Sequence, residues 1–487
     1  AGKSLINLYD TLATPANGVE KVEGEPPQKY QQICEKWFVF SMIWTVMAAV
    51  DESGRVMLDQ FLREIEAQFP PMQTVYDYFV DPKKQDFELW ETKLPNWRPR
   101  KGMEFSQLIV PTIDTVRNQY VLTTLVNNRQ RVLVSGTTGT GKTVLCQSML
   151  TALPENQSSL IINFSSATDS GTTQAIVESV MEKRSKDKVG PSGGKQMVLF
   201  IDDFNMPKKT NDESPFQPPL ELLRLWMDYG GWYDRIKCTW RYVLDTHIVT
   251  AMAPPTGGRE VISARTQSRF SLLYCTEPSD AQIVRIFESI LAPKLSEFEN
   301  EIKPMGGNIA RATLGVYKDV VENFLPTPAK SHYLFNMRDI AKVVQGIVQC
   351  DRQYIDTKDS ASRLWVHECM RAFSDRFLKD SANDEKVFIT ILSKYLKDNF
   401  DTSWDSLMDE AIDQEQGPVF ASFMKESGDA NILPYEEVQD MSKLKHFLEE
   451  KLEDYNMEPK LIPMNLVLFD DAIKHISRIH RILFQSR

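Results

Sequence analysis

The sequence predicts an α/β fold: a parallel five-stranded sheet between helices, followed by a mainly helical part. Three observations predict it. The glycine-rich stretch Gly136-Thr-Thr-Gly-Thr-Gly-Lys-Thr143 stands between a short apolar run at 131–135 and a segment, 144–150, with apolar residues at helical spacing. Four further apolar runs, at 160–164, 197–201, 247–251 and 271–275, follow with helical patterns between several of them, as parallel crossovers require. Beyond Glu277 the apolar residues recur mainly at helical spacing.

Strand, glycine loop, helix is the setting of a phosphate-binding loop. Glycines let successive backbone N–H groups converge on a phosphate at a helix N-terminus, where unpaired donors and the helix dipole both favour an anion. The loop residues Gly136, Thr137, Thr138, Gly139, Thr140 and Gly141 form the cradle, Lys142 reaches the β- and γ-phosphates, and the Thr143 hydroxyl ligates Mg²⁺. The expected ligand is ATP or ADP with Mg²⁺. Val110, in the segment that leads into this region, is counted among the nucleotide-contacting residues.

The third strand ends in an acidic pair. Residues 198–201 are apolar and run into Asp202-Asp203, then Asn205-Met-Pro207. At the carboxyl end of a strand beside the phosphate loop, Asp202 is placed to hold Mg²⁺ through water, and Asp203 to orient an attacking water. The alternative for such a pair is a turn or a helix cap.

Composition bounds the rest. The length of 487 residues suggests about three domains. A net charge of −11 argues against nonspecific binding to nucleic acid or acidic membranes. Six scattered cysteines with no C-x-x-C pair, and six histidines without H-E-x-x-H spacing, point away from structural zinc and a disulfide framework, hence to buried thiols in the cytoplasm. No basic-then-apolar leader opens the chain, and the apolar run 37–50 is too short to span a bilayer, so it is read as a buried helix.

Four regions are expected. Residues 1–100 are helical, with a second amphipathic helix carrying Met57, Leu58, Phe61, Leu62, Ile65 and Phe69, then a Trp- and Pro-bearing extended stretch. Residues 101–276 form the nucleotide domain. There Pro218-Pro219 begins a helix that Gly230-Gly231 ends, and 232–235 with 239–243 read as a hairpin whose aromatics either pack internally or dock a partner. Residues 277–425 are a helical domain, and 426–487 a linker and a last helix with Ile476, Ile479 and Leu483 on one face.

Several colinear blocks resemble a known family: residues 136–143, Phe200-Ile-Asp-Asp-Phe-Asn-Met-Pro207, Gln217-Pro-Pro-Leu-Glu-Leu-Leu-Arg-Leu-Trp226, Gly231-Trp-Tyr-Asp234 and His332-Tyr-Leu-Phe-Asn-Met-Arg-Asp339. Together they resemble the third AAA+ module of axonemal dynein heavy chains. Residues 37–44 and 75–81 are similar to the end of the second module, and 470–483 to the first helix of the fourth. The resemblance implies an excerpt of a larger motor: a large P-loop subdomain and a helical lid, flanked by helical parts of neighbouring modules.

It further implies an ATP-driven microtubule motor of the cytoskeleton, in the axoneme of a cilium or flagellum. Its partners would be neighbouring AAA+ modules, the microtubule through other parts of the motor, and dynein intermediate and light chains. Arg338 matches the lid arginine that senses the γ-phosphate; the alternative is a surface cation paired with Asp339 or a neighbour. Arg265 and Arg269 lie where such modules carry an arginine finger toward the preceding module's nucleotide. Two departures stand out: Asp203 occupies a position that usually holds Glu, and the strand at 247–251 lacks the usual Asn, with Thr250 the nearby polar substitute. A shift of about 1 Å can cost on the order of a hundredfold in rate. Binding is therefore expected more firmly than fast turnover, and a nucleotide-stabilised spacer is the competing reading.

Overall fold

The computed structural model describes all residues except 1, 22–25, 67–68, 101–102, 379–381, 409–416, 424–434 and 485–487. Two compact units emerge. The first comprises Ala1–Pro95 and Pro111–Pro278, the second Asn96–Val110 and Ser279–Arg487.

The first unit is built on the five expected strands: β1 (Val132–Ser135), β2 (Gln157–Asn163), β3 (Gln196–Asp202), β4 (Thr246–Met252) and β5 (Ser271–Tyr274). They pair in parallel in the order β5-β1-β4-β3-β2. Alternation assigns their side chains to two cores. On one face Val132, Val134, Val198, Phe200, Val249, Ala251 and Leu273 pack with the helices Ile113–Asn127 and Lys142–Thr151 and with the chain before residue 95. On the other, Leu133, Leu199, Ile201 and Ile248 pack against Val177 of one helix and Leu220, Leu223 and Trp226 of another. Strands covered on both faces read as continuous apolar runs, which is why the sequence exposes them.

Register places the strand ends. Met252 of β4 sits opposite Ser135 of β1, and Thr250 opposite both Leu133 and Ile201. The loop after β1 and the acidic end of β3 therefore flank the end of β4.

Some local expectations change. The N-terminal region, expected to be helical, carries a two-stranded ladder, Tyr78–Asp81 with Asp86–Leu89. Trp90 does not lie in an extended stretch; it begins a short 3-10 turn and is fully buried against Phe40, Phe79 and Tyr120. The hairpin exists, Gly231–Tyr233 pairing with Trp240–Val243, but it belongs to a four-stranded sheet with Met181–Lys183 and Lys188–Pro191. Of its aromatics Trp232 is buried against Trp226, whereas Tyr233, Trp240 and Tyr242 stack edge-on along a solvent-facing side. The helix Glu52–Ile65 buries Leu62, while Met57, Phe61 and Ile65 face outward.

The second unit is helical. Asp280–Leu295, Met305–Asn323, Met337–Val348, Lys358–Phe373 and Ala382–Phe400 enclose a core containing Ile309, Val343, Trp365, Phe373 and Phe388. Asn336 caps the third of these through a reciprocal box with Asp339. The last helix, Asp470–Phe484, buries Ile473, Ser477 and Arg481, not the face of Ile479 and Leu483. The reason is ionic. Arg481 reaches the fully buried Glu368 at 2.5 Å and the Tyr435 hydroxyl at 2.7 Å, and Arg371 also pairs with Glu368 at 2.9 Å. Burial alone would raise the Glu368 carboxyl, but the two arginines more than offset it and hold it at about 2. Residues 426–434 of the expected linker lie outside the described residues. Among the described residues no helix is long and apolar enough to cross a membrane. Of the cysteines, Cys146, Cys275, Cys350 and Cys369 are buried, Cys34 half-buried and Cys238 exposed.

Breaking this buried pair from one side should be costly. Arg481→Met strands the Glu368 carboxylate and should destabilise the second unit by about 3–5 kcal/mol, whereas adding Glu368→Gln to it should recover much of the loss. Hydrogen exchange over Lys358–Phe373 and denaturant unfolding of the whole chain measure both. The depressed carboxyl gives a sign as well: its stabilisation is present above the ordinary value of 4.5 and declines as pH falls toward 2.

Candidate nucleotide-binding site

The site begins where β1 ends. Cys275 donates its backbone N–H to the Ser135 carbonyl at 2.7 Å, which brings the end of β5 against the start of the loop. Gly136 has φ of 154°, and a Cβ there would lie 2.5 Å from the Cys275 carbonyl oxygen, so only glycine fits this close approach. Gly141, with φ of 79°, turns the chain into the helix Lys142–Thr151 without any side-chain cap. No side chain caps the first N–H groups of that helix, the arrangement that phosphate binding uses.

Lys142 folds back over the loop. Its Nζ donates to the Thr137 carbonyl at 2.5 Å, with Thr140 Oγ1 at 3.4 Å, and Thr140 Oγ1 itself donates to Thr137 at 3.0 Å. Burial pushes the ammonium below its usual value, and the positive charge of Arg259 pushes it the same way. Beside it the Thr143 hydroxyl donates to Asp202 Oδ2 at 2.7 Å, and Asp202 Oδ1 accepts from the Asp203 N–H at 2.9 Å. A hydroxyl and one carboxylate are hard oxygen donors of the kind Mg²⁺ uses alongside phosphate oxygens and water. Among the described residues no cluster of three or more His, Cys, Asp or Glu side chains is present that would compete as a metal cage.

Asp203 sits in a left-handed turn with φ of 50°, and its carboxylate, 48% exposed, lies 3.5 Å from the Arg259 guanidinium. The turn is pinned underneath: Phe204 N–H donates to the Ala251 carbonyl, Asn205 Nδ2 to Ala253 at 2.8 Å, and Gln217 Nε2 to Pro207 at 2.7 Å. A second line of contacts approaches from the N-terminal region. Glu52 accepts from the Glu277 N–H at 2.7 Å, and Glu277 accepts from the Thr137 hydroxyl at 2.9 Å. Arg55, buried beneath, donates to the Tyr274 carbonyl at 2.7 Å.

Comparison with known proteins agrees with this geometry. Residues 97–278 match the family described as the P-loop containing dynein motor region, 1–92 the dynein heavy chain AAA lid domain, and 309–410 the AAA+ lid domain. The chain is 47% identical over 486 residues to dynein axonemal heavy chain 2 of Homo sapiens, covering 99% of this chain and 11% of that protein. It is 42% identical over 514 residues to the dynein-1-beta heavy chain, flagellar inner arm I1 complex, of Chlamydomonas reinhardtii, covering 100% and 11%. To dynein axonemal heavy chain 6 of Homo sapiens it is 35% identical, covering 99% and 12%.

This is an axonemal dynein heavy-chain AAA+ region with its lid domains. The chain spans about a tenth of the length of the relatives it matches.

Within this dynein region the anticipated residues fall into three groups. Gly136, Thr137, Gly139, Thr140, Gly141, Lys142, Thr143, Asp202 and Asp203 converge around the loop, with Thr138 at its exposed tip. Arg265 and Arg269 lie on the short helical turn after β4 and just past it; Arg269 is engaged by Asp228 at 2.6 Å, while Arg265 has no ion pair among the described residues. Val110 and Arg338 belong to the second unit. Val110 is buried in its apolar core, and Arg338 is exposed at the start of the helix Met337–Val348. The pairing of Arg338 with Asp339 is not made: Asp339 instead takes Arg376, and Lys342 at 3.2 Å. Thr250 is fully buried within β4, its hydroxyl without a partner among the described residues.

Arg259 and the Glu52–Glu277–Thr137 line were not anticipated. The one available signal for Arg259 was a cation directly after Gly257-Gly258, on the segment leaving a strand whose end lies at the site.

Gly136→Ala should push the loop away from Cys275 and weaken ATP binding by about fivefold to a hundredfold, the scale of a 1–3 kcal/mol overpacking cost. Labelled-ATP binding, with hydrogen exchange across 131–143 as the structural control, measures it.

Proposed function

We propose that this chain is the third AAA+ module of an axonemal dynein heavy chain, with the end of the second module and the start of the fourth, and that it is a nucleotide-binding regulatory module of an ATP-driven microtubule motor in the cilium or flagellum. The supporting observation is the 2.7 Å bond from Thr143 to Asp202 beside a helix N-terminus without a side-chain cap, under Lys142, a set that suits a phosphate with its metal ion. Relatives named as axonemal and flagellar dynein heavy chains support the setting. Neighbouring AAA+ modules, the microtubule through other parts of the motor, and intermediate and light chains are the corresponding partners.

In this reading the loop N–H groups and Lys142 bind the phosphates of ATP or ADP, and Thr143 and Asp202 hold Mg²⁺, which when bound neutralises phosphate charge. Asp203 orients the water. Arg338 senses the terminal phosphate from the lid; its freedom from Asp339 suits that role better than a structural ion pair. Of the two finger candidates Arg265 is the better supported, because Asp228 already engages Arg269.

A second reading has a specific observation in its favour. Asp203 is shorter than the usual Glu, half exposed and paired with Arg259, so a module that binds nucleotide without turning it over is also supported.

Two substitutions separate these. Lys142→Ala should lower ATP affinity by roughly 3 kcal/mol, about a hundredfold, in a folded protein; wild-type affinity would reject the loop as the binding site. Asp203→Asn should bind ATP at least as tightly but release phosphate more slowly, since its role appears only as the transition state forms. With the motor's other hydrolytic sites silenced, no phosphate release before the substitution favours the spacer. Release that is present and unchanged afterward assigns water positioning to another group.

A further inference from the structure

We propose that Arg259 is a positioning residue that exchanges partners, holding Asp203 when the site lacks a terminal phosphate and turning to that phosphate when ATP is bound. The inference rests on the reading of residues 136–143 as the nucleotide site and adds to it how that site tells ATP from ADP.

The segment leaving β4 is built to present this side chain. Gly257 and Gly258 have φ of 63° and 85°, with open space around both, so the glycines serve backbone conformation and not packing. Glu260 then ties the segment to the acidic turn, its N–H donating to the Asn205 carbonyl at 3.0 Å and its carboxylate pairing with Lys209 at 3.3 Å. Arg259 is thereby carried beside the acidic turn, its guanidinium 3.5 Å from Asp203.

Its bonding there is incomplete. A guanidinium has five N–H donors. Arg259 makes one contact to Asp203, long at 3.5 Å, and its Nε is buried without a partner among the described residues. Lys142 feels its positive charge. Two cations close enough to feel each other are mutually unfavourable unless an anion offsets them. Among the described residues Asp203 is the anion that Arg259 contacts, and it meets one donor of five.

A terminal phosphate offers more charge and more acceptor oxygens than a carboxylate, and a guanidinium fork suits it. ADP ends one phosphate short and leaves Arg259 with Asp203. With ATP the arginine is drawn away, and the Asp203 carboxylate becomes free to accept a hydrogen bond from water. In this proposal the polar contact that Thr250, sealed in the sheet, does not offer comes from Arg259 on the segment that follows the strand.

The test is a competition of ATP and ADP against a fluorescent ADP in the intact protein, with any other nucleotide sites disabled. Arg259→Ala should keep ADP affinity within about twofold and weaken ATP by about tenfold, the scale of one charge-assisted hydrogen bond. Arg259→Lys should restore part of the preference. Asp203→Asn should strengthen ATP binding when Arg259 is present and do so less in the Arg259→Ala background, because the two residues compete for one interaction. An unchanged ATP:ADP ratio in Arg259→Ala, loss of ADP binding together with ATP, or additive effects of the two substitutions would each overturn the proposal. ADP binding that survives Lys142→Ala would reject the nucleotide site itself, an outcome distinct from all of these.

Discussion

The register-locked packing of the central sheet is the constraint on which the first unit depends, and it shows in the bond it positions between Thr143 and Asp202. These residues follow strands that are not neighbours: β4 lies between β1 and β3, and the bond closes over its end. Holding it at 2.7 Å requires the register of both ladders, since a slip by one residue would turn Asp202 to the opposite face. The two apolar cores enforce that register. Val198 and Phe200 must meet one set of helices and Leu199 and Ile201 the other, so the sheet cannot slide without exposing four buried side chains. At about 1.5–3 kcal/mol for each large apolar side chain, packing outweighs the polar bond it positions.

The same logic explains what the sequence made legible. A strand buried on both faces writes itself as an unbroken apolar run, and a phosphate loop needs glycine where no other residue fits, as Gly136 does against Cys275. Both leave marks in residue type at fixed spacing. The strands Met181–Lys183 and Lys188–Pro191 leave none, because they are too short to show a period and are stabilised by pairing with each other and with the hairpin. Helical periodicity has a different blind spot. It marks an apolar face without saying what covers it, so the stripe of Met57, Phe61 and Ile65 reads like Leu62 although only the latter is buried. In Asp470–Phe484 the buried face is chosen by Arg481, and a cation on a helix face ordinarily signals solvent.

Polar residues at the site divide along the same line. Lys142, Thr143 and Asp202 are adjacent to the elements that place them, and local sequence therefore locates them. Arg259 stands 56 residues after Asp203, and Glu52 stands 225 before Glu277. Such contacts are created by tertiary folding alone, and nothing in their local sequence states their partners. Glu368 and Arg481, 113 residues apart, are of this kind too. Their pair is a commitment made by burial: once the carboxylate is sealed in the helical core, only a cation entering with it avoids a large desolvation cost.

Binding and turnover place unequal demands on this architecture. In the proposed reading binding draws on backbone N–H groups fixed by glycine geometry and on one lysine, and its tolerance is wide because a phosphate presents many acceptors. Turnover needs a single carboxylate within hydrogen-bond reach of one water, and Asp203 starts from a shorter side chain, a left-handed turn and a contact with Arg259. The turn is nevertheless held from below by Phe204, Asn205 and Gln217, all bonded to backbone that belongs to or follows the central sheet. A rigid support under a weakly held carboxylate favours control over speed. Under the proposed exchange the carboxylate's position follows which anion Arg259 faces, so the feature that would slow water activation would also make it responsive to the nucleotide.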